Sequence, residues 1–135
     1  MREFNLRILT PDGPAFEGKV ESVIVRSTEG DVCFLYGHID YVTTIEYGRV
    51  KIRQNGVDRY AACMGGFASV ESGEVRIVAT TFEYADEIDV ERAETARKKA
   101  QERIDRAQSD KEIRLAEIKL SRALNRLTVA KLKEM

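Results

Sequence analysis

Basic side chains recur at helical spacing in the last third of the chain and could bind an anion. They fall at Arg92, Lys99, Arg103 and Arg106 in one predicted helix, and at Lys119, Arg122, Arg126 and Lys133 in a second. If the two helices pack antiparallel, Arg92 and Lys99 come near Arg122 and Arg126, and four cations around one cleft repel unless an anion lies between them. Guanidinium groups suit phosphate oxygens. The alternative, which spacing alone favours, is a solvated face whose cations pair with acids such as Asp89 or Glu102 on the same helix.

Groups that could support catalysis are few. His38 is the single histidine, and its place between predicted strands favours a role in fixing a turn. Cys33 and Cys63 are each flanked by apolar residues and are predicted to fill the core as free thiols. Without a Cys-x-x-Cys pattern, neither a zinc site nor a disulfide framework is expected. Gly65-Gly66 lacks the Lys-Ser/Thr of a phosphate loop and predicts a bend in a sheet, between one short strand over residues 57–62 and another over residues 67–70.

The elements that would position these residues differ sharply on the two sides of Tyr84. All nine Gly, both Pro and all the Phe and Tyr residues lie at or before it. Glycine, proline and aromatic residues mark turns and sheets, and their absence removes helix breakers. The sequence therefore predicts an all-β domain over residues 1–84 and a helical domain over residues 85–135, an α+β fold of two modules.

The first module shows short β-type runs separated by turn signals. Turns are predicted at Thr10–Gly13, at Asn55-Gly56 and at Ser72-Gly73, and Asn-Gly suits a type I′ hairpin. The spacing predicts about eight to ten short strands in a β-sandwich or flattened barrel.

The second module has small apolar residues every three or four positions, typical of two one-sided helices. These residues are Ala93, Ala96, Ala100, Ile104 and Ala107, and then Ile113, Ala116, Leu120, Ala123, Leu127 and Ala130. Asp89 is predicted to cap the first helix, and Ser109 with Glu112 to form a capping box at the second. The short link predicts an antiparallel hairpin. Its alanine seam buries little area, so the hairpin should be marginal alone and able to open.

Composition limits the classes of function. The 135 residues carry a formal net charge of -1, which gives no basic excess for nucleic acid. No apolar run approaches the roughly 20 residues of a membrane-spanning helix, and no signal peptide is predicted. A soluble protein with reduced thiols in a cytosolic setting is expected.

The order of motifs resembles the epsilon subunits of bacterial F-type ATP synthases along nearly the whole chain. The matching segments are Thr10-Pro11-Asp12-Gly13, Phe16-Glu17-Gly18, Glu29-Gly30-Asp31-Val32, Leu35-Tyr36-Gly37-His38, Gly65-Gly66-Phe67-Ala68-Ser69-Val70 and Val75-Arg76-Ile77-Val78-Ala79. The most specific segment, Ala85–Ala93, contains the Ile-Asp-x-x-Arg-Ala pattern of the members that bind ATP.

This resemblance implies a regulatory subunit without catalytic residues of its own. The sandwich would dock on the gamma subunit and the membrane c-ring and transmit torque in the central stalk, coupling proton translocation to ATP synthesis. The helical hairpin would extend into the alpha/beta catalytic head and block ATP hydrolysis, or fold against the sandwich when ATP binds. The protein would sit peripherally on the cytoplasmic face of the bacterial plasma membrane, without nucleic acid and without a required metal.

The same resemblance implies an ATP site residue by residue. Ile88, Asp89 and Arg92 occupy the motif and would serve the adenine and ribose end. Glu83, just before the motif, matches an acidic position of the same pocket.

The phosphates would face the second helix, where Arg122 and Arg126 match a basic pair of the family. Lys99 stands where ATP-binding members have Arg, so phosphate contact there should be weaker, because Lys offers a point charge instead of a fork.

Other departures from the family fall in the sandwich. Cys33 replaces a usual Gly, and Tyr36 and Asp40 replace usual prolines. Two rival classes remain open: an interaction module of another complex, such as a nucleic-acid-binding adaptor, and an enzyme using carboxylates such as Glu29 and Asp31. Interleaved acids on the helices argue against the first, and the lack of a partner group argues against the second.

Overall fold

The computed structural model describes residues 2–134 of the chain, with the side chains of residues 2–132; the Lys133 side chain lies outside this description. The strands are β1 (Phe4–Thr10), β2 (Gly13–Val20), β3 (Ser22–Ser27), β4 (Gly30–Phe34), β5 (Tyr41–Gln54), β6 (Val57–Glu71), β7 (Glu74–Ala79) and β8 (Phe82–Tyr84). A 3₁₀ turn (Ala85–Glu87) leads to helices α1 (Val90–Arg106) and α2 (Asp110–Ala130), and a second 3₁₀ turn (Lys131–Glu134) follows.

The strands form one sheet in the order β2-β1-β7-β6-β5-β3-β4, with β8 paired to the first half of β6. All pairs are antiparallel except β1 with β7. Buried side chains from both ends of this order, such as Ile8 and Phe34, meet in one apolar cluster. The sheet therefore folds over itself into the sandwich that the sequence predicted.

The hairpin turns follow the local sequence. Asn55 and Gly56 have φ of 52° and 75°, and Ser72 and Gly73 have φ of 51° and 81°. Positive φ at both central residues is the requirement of a type I′ turn, which matches the twist of the flanking strands. Both predicted hairpins are thus confirmed.

The predicted bend at Gly65-Gly66 is also present, but the strand does not end there. Both glycines have positive φ, and β6 runs through them as one long strand that pairs with β8 before the bend and with β7 after it. A Cβ on Gly66 would lie 1.9 Å from the carbonyl oxygen of Val78. The sequence had predicted separate short strands on the two sides of this pair.

The helices begin at the predicted capping residues. The Asp89 carboxylate accepts a hydrogen bond from the Arg92 backbone N–H at 3.0 Å, and the Ser109 hydroxyl accepts one from the Glu112 N–H at 3.2 Å. Glu112 reaches back to the N–H of Gln108, one residue before the cap. These bonds satisfy N–H groups that the first turn of a helix leaves without partners.

Small residues form the seam between the two helices. Ala93 and Ala100 of α1 and Ala116 and Ala123 of α2 are buried, as predicted, whereas Ala96 is exposed and does not belong to the seam. Because alanine side chains are short, the helices gain only a narrow apolar contact. Among residues 2–134, no helix is long and apolar enough to span a bilayer.

Candidate functional site

The base of the helical hairpin packs on the sandwich through a small apolar cluster. It contains Ala62 of β6, Ala85 and Ile88 of the connecting segment, and Val129 and Ala130 at the end of α2, with Tyr60 partly buried against them. This cluster is separate from the main core of the sandwich. The first and last residues of the hairpin are thus attached at one place.

Two polar contacts border this cluster and also join α2 to the sheet. The Asn125 side-chain amide donates to the carbonyl oxygen of Gly48 at 3.1 Å, and Arg126 Nε donates to Glu83 Oε1 at 3.1 Å. Neither pair is fully exposed, although the side chains of Arg126 and Glu83 keep 32% and 37% of their surface in solvent. The Glu83 carboxylate therefore offsets the charge of Arg126 when no ligand is present.

The strand that carries Glu83 is held by its neighbours. The Arg59 guanidinium lies 3.5 Å from the centre of the Tyr84 ring and 4.0 Å from the Glu87 carboxylate. Burial raises the pKa of the Tyr84 phenol, and the charge of Arg59 partly opposes this rise. The ring stays neutral at physiological pH and serves as a flat surface for the cation.

The motif residues Ile88, Asp89 and Arg92 have different roles in this ligand-free arrangement. Ile88 is 6% exposed and packs inside the apolar cluster. Asp89 caps α1 through one carboxylate oxygen, and the Arg92 side chain is exposed. All three therefore lie at the start of α1, beside the segment that leads from Glu83.

The Arg122 side chain has one nitrogen atom in an unusual environment. Its Nε atom is buried and has no hydrogen-bond partner within the described part of the chain. The hydroxyl of Thr81, which immediately precedes β8, is also buried without a hydrogen-bond partner among the described residues. Buried N–H groups are normally paired, so Arg122 lacks an acceptor that a bound anion could supply.

Lys99, the remaining predicted ATP-site residue, lines a groove toward the loop end of the hairpin. This groove has a volume of about 440 Å³ and is bordered by residues of both helices, including Arg103, Arg106 and Lys119. The structure thus places Glu83 against Arg126, with Ile88 in the adjoining apolar cluster, and places Lys99 in a different depression.

The contact between Asn125 and Gly48 was missed by sequence reasoning. The two residues are 77 positions apart, and neither belongs to a recognisable motif. The position of Asn125 next to Arg126 was the only available signal.

The groups considered for catalysis have structural roles. His38 Nδ1 donates to the carbonyl oxygen of Ile39 at 2.7 Å, and its ring packs against Phe34, so the predicted turn-fixing role is confirmed. Asp31 forms ion pairs with Arg26 and Arg49 at 3.5 and 3.2 Å. Among the side chains of residues 2–132, no group of three or more His, Cys, Asp or Glu is arranged to hold a metal ion.

The two cysteines differ, and one prediction for them is wrong. Cys63 is 1% exposed and fills the core as expected, and burial raises its pKa to about 12. Cys33 is exposed, because successive side chains of β4 alternate and Phe34 takes the inward position. Both are free thiols.

Comparison with known proteins assigns the two halves of the chain to consecutive parts of one family. Residues 3–85 match the model "ATP synthase, Delta/Epsilon chain, beta-sandwich domain", and residues 86–131 match "ATP synthase, Delta/Epsilon chain, long alpha-helix domain". The chain belongs to the ATP synthase delta/epsilon family. Members of this family are non-catalytic subunits, as the resemblance implied.

Relatives from several bacteria match the chain over nearly its whole length. The ATP synthase epsilon chain of Bacillus subtilis is 44% identical and that of Bacillus velezensis 42%, each over 96% of this chain and 98% of the relative. The epsilon chain of Ruminococcus albus is 41% identical with the same coverage. The predicted resemblance to epsilon subunits is therefore confirmed.

Solved structures share the fold of this delta/epsilon family member. A chain in the Euglena gracilis mitochondrial ATP synthase aligns with a TM-score of 0.82 at 23% identity, over 96% of this chain and 81% of that one. A chain in the Tetrahymena thermophila mitochondrial ATP synthase aligns with a TM-score of 0.62 at 12% identity, over 96% and 97%. The sandwich followed by a helical pair is thus a fold that these two chains share with this one.

Proposed function

We propose that the chain is the epsilon subunit of the central stalk of a bacterial F-type ATP synthase, and that its hairpin is a regulatory arm controlled by ATP. The sandwich binds the gamma subunit and the c-ring on the cytoplasmic face of the plasma membrane. The arm inhibits ATP hydrolysis when it extends into the catalytic head.

The observation that carries this proposal is the match of both domains, in order, to the ATP synthase delta/epsilon family, together with 44% identity to an epsilon chain that is covered over 98% of its length. The two structural neighbours come from assemblies that include the c-ring, one with F1 and one with the central stalk. A subunit of this family is expected to meet the same kinds of neighbour in its own complex.

The small contact between hairpin and sandwich supports a movable arm. It includes the small apolar cluster and the side-chain bonds of Asn125 and Arg126. Partly exposed ion pairs contribute about 0–1 kcal/mol, and a typical hydrogen bond contributes about 1 kcal/mol. An interface of this kind leaves the folded and extended arms within a few kcal/mol of each other, which ligand control requires.

The residues at the base of the hairpin fit an anionic ligand. Arg122 presents a buried N–H without an acceptor, and Arg126 uses Nε for Glu83, which leaves its terminal amino groups for phosphate oxygens. Arg92, at the start of α1, would contribute from the other helix. Phosphates held by both helices would bind only the folded arm.

The free energy available from ATP is sufficient for this control. A ligand that binds one state alone stabilises that state by about 2.7 kcal/mol at roughly 100 times its dissociation constant. Since 1.4 kcal/mol changes an equilibrium about tenfold, an even balance becomes about 99:1 in favour of the folded arm. Low ATP would release the arm and stop hydrolysis.

The decisive experiment combines the chain with the gamma subunit and with the alpha/beta/gamma catalytic head of the same organism. A stable one-to-one complex with gamma is expected in size-exclusion chromatography, and its absence would contradict the assignment. The wild-type chain should inhibit ATP hydrolysis at low ATP concentration, and this inhibition should be relieved at high ATP concentration.

The variant Arg126→Ala should still inhibit the head but need at least about tenfold more ATP for release, the cost of one lost charge-assisted contact. Arg114→Ala removes a charge from the exposed face of the same helix and serves as the control. Equal ATP requirements for both variants would remove Arg126 from the site.

A further inference from the structure

The groove at the loop end of the hairpin is a second concentration of positive charge. Lys99, Arg103 and Arg106 reach it from α1, and Lys119 reaches it from α2. Arg103, Arg106 and Lys119 are not among the residues that resemble the family's ATP site. With a volume of about 440 Å³, the groove is large enough for a small polyanion.

Among the side chains that the structure describes, the cations of this groove lack the ion-pair partners that Arg97 and Arg126 have. Arg97 is bonded to Glu94 on its own helix, and Arg126 is bonded to Glu83. Within residues 2–132, none of the groove cations lies within 4.0 Å of a carboxylate oxygen. Their charge is therefore available to an external ligand.

The groove also contains two acids, which do not cancel this charge. Glu102 and Glu112 face four cations, which leaves a net charge of +2. Glu112 is already engaged at the helix cap, where its Oε2 accepts a hydrogen bond from the Gln108 N–H at 3.0 Å. An anion that enters the groove would thus meet more positive than negative side chains.

The alanine seam keeps these like charges close. Ala100 and Ala116 are buried between the helices at this level, so the two backbones lie near each other and cannot separate without opening the hairpin. Like charges held on facing helices repel, and an anion with several oxygens can bridge them. The groove is thus completed by a ligand that carries more than one negative charge.

We propose that this groove is an anion site, distinct from the base of the hairpin, that binds a diphosphate group and holds the loop ends of α1 and α2 together. The ligand bridges Arg103 of α1 and Lys119 of α2. Leu115, which is 54% exposed, borders the groove with an apolar surface beside the diphosphate.

Inorganic pyrophosphate is the probe, and the full chain is titrated at low salt by calorimetry. The double variant Arg103→Gln/Lys119→Gln should weaken pyrophosphate binding at least tenfold. The control Lys98→Gln/Arg114→Gln removes one charge from each helix outside the groove, and should change the affinity less than twofold. Circular dichroism verifies that both variants keep their helix content.

Without ligand at low salt, the Arg103/Lys119 variant should melt at a higher temperature than the control, because it relieves repulsion that the control does not. Equal losses of pyrophosphate affinity in the two double variants would show general charge attraction and overturn the site. If the wild-type chain bound sulfate as tightly as pyrophosphate at the same ionic strength, this result would overturn the site as well.

A final variant separates this proposal from the nucleotide proposal. Arg126→Ala should weaken ATP binding at least about tenfold and keep its affinity for pyrophosphate. If Arg126→Ala weakens both, pyrophosphate binds at the base of the hairpin and the groove is not a site, while ATP control of the arm stands. If ATP has no effect on the wild-type chain and pyrophosphate binds as described, the ATP proposal fails and the groove remains.

Discussion

Arg126 Nε donates a hydrogen bond to Glu83 Oε1 at 3.1 Å and thereby joins the last turns of α2 to the last strand of the sheet. The resemblance to epsilon subunits had placed both residues in one ATP pocket, Glu83 as an acidic position of that pocket and Arg126 as one of a basic pair that would face the phosphates. In the structure the two side chains pair with each other. The pair therefore connects the folded position of the arm with the residues proposed to bind nucleotide.

ATP should raise the melting temperature of the wild-type chain, and Arg126→Ala should lose most of this rise. At about 100 times the dissociation constant the ligand adds roughly 2.7 kcal/mol to the folded arm. The variant also breaks the pair with Glu83, which costs about 1 kcal/mol or less because both side chains are partly exposed. The comparison is therefore made between melting curves with and without ATP for each protein. Equal increases in melting temperature on adding ATP to the wild-type chain and to Arg126→Ala would contradict the proposed site.

Asn125→Ala should loosen the arm without affecting the sandwich. The substitution removes the donor to the Gly48 carbonyl, a partly buried contact worth about 1 kcal/mol. Hydrogen exchange should become about fivefold faster in the last turns of α2, while the amides of β1 and β7 keep their rates. Thr128→Ala, at an exposed position on the same helix, is the control. Unchanged exchange in α2 would show that this bond does not hold the arm.

Gly66→Ala should destabilise the sandwich by about 3 kcal/mol or more, since the new Cβ would require both a strained φ and a shift of the neighbouring strand. The Cβ would lie 1.9 Å from the Val78 carbonyl oxygen, at a φ of +127°. Gly65→Ala is the matched control: its nearest contact would be 3.4 Å, from the end of the Thr80 side chain, at a φ of +86°. Urea unfolding should show a clearly larger loss for Gly66→Ala; equal losses would mean that the clash is relieved.

Thiol titration should distinguish the two cysteines. Cys33 should react with a thiol reagent in the native protein and Cys63 only after unfolding, because Cys63 is 1% exposed and burial raises its pKa to about 12. Burial also raises the pKa of Cys33, an effect that the charge of Lys51 partly opposes, so its reaction should accelerate as the pH rises into the alkaline range. Two thiols reacting at similar rates in the native protein would contradict this difference.

The same burial predicts how stability depends on alkaline pH. The Cys63 thiol ionises near pH 8.5 in the unfolded chain and only near pH 12 in the folded one. Its contribution to the free energy of unfolding is therefore fully present below about pH 8.5 and is lost as pH rises toward 12. The free energy of unfolding of Cys63→Ala, measured with urea, should decline less steeply over this pH range than that of the wild-type chain. An equally steep decline in both proteins would assign the loss of stability to other groups.

Features set by neighbouring residues could be predicted from the sequence. The turn at Asn55-Gly56 and the helix caps at Asp89 and Ser109 depend on a few adjacent residues, and each is present as expected. The family resemblance supplied Glu83 and Arg126 as residues of one region, although the residues are 43 positions apart.

Features set by the folded sheet could not be predicted in the same way. Cys33 has apolar neighbours, which suggested the core, but the alternation of an edge strand turns it outward. Gly65-Gly66 was expected to separate two strands, whereas the pair bends a single strand that has partners on both sides. The bond from Asn125 to Gly48 needs both domains in place before the two residues meet.

Because Ile88 and Val129 belong to one apolar cluster, the base of the hairpin is attached to the sandwich there, and this attachment can be treated as a pivot. The 17 residues of α1 extend about 25 Å from this pivot at 1.5 Å per residue. A tilt of about 10° at the base would therefore displace the far loop by about 4 Å, from the helix length and simple geometry. Modest rearrangements beside Glu83 are thus amplified into movements that a neighbouring subunit could detect.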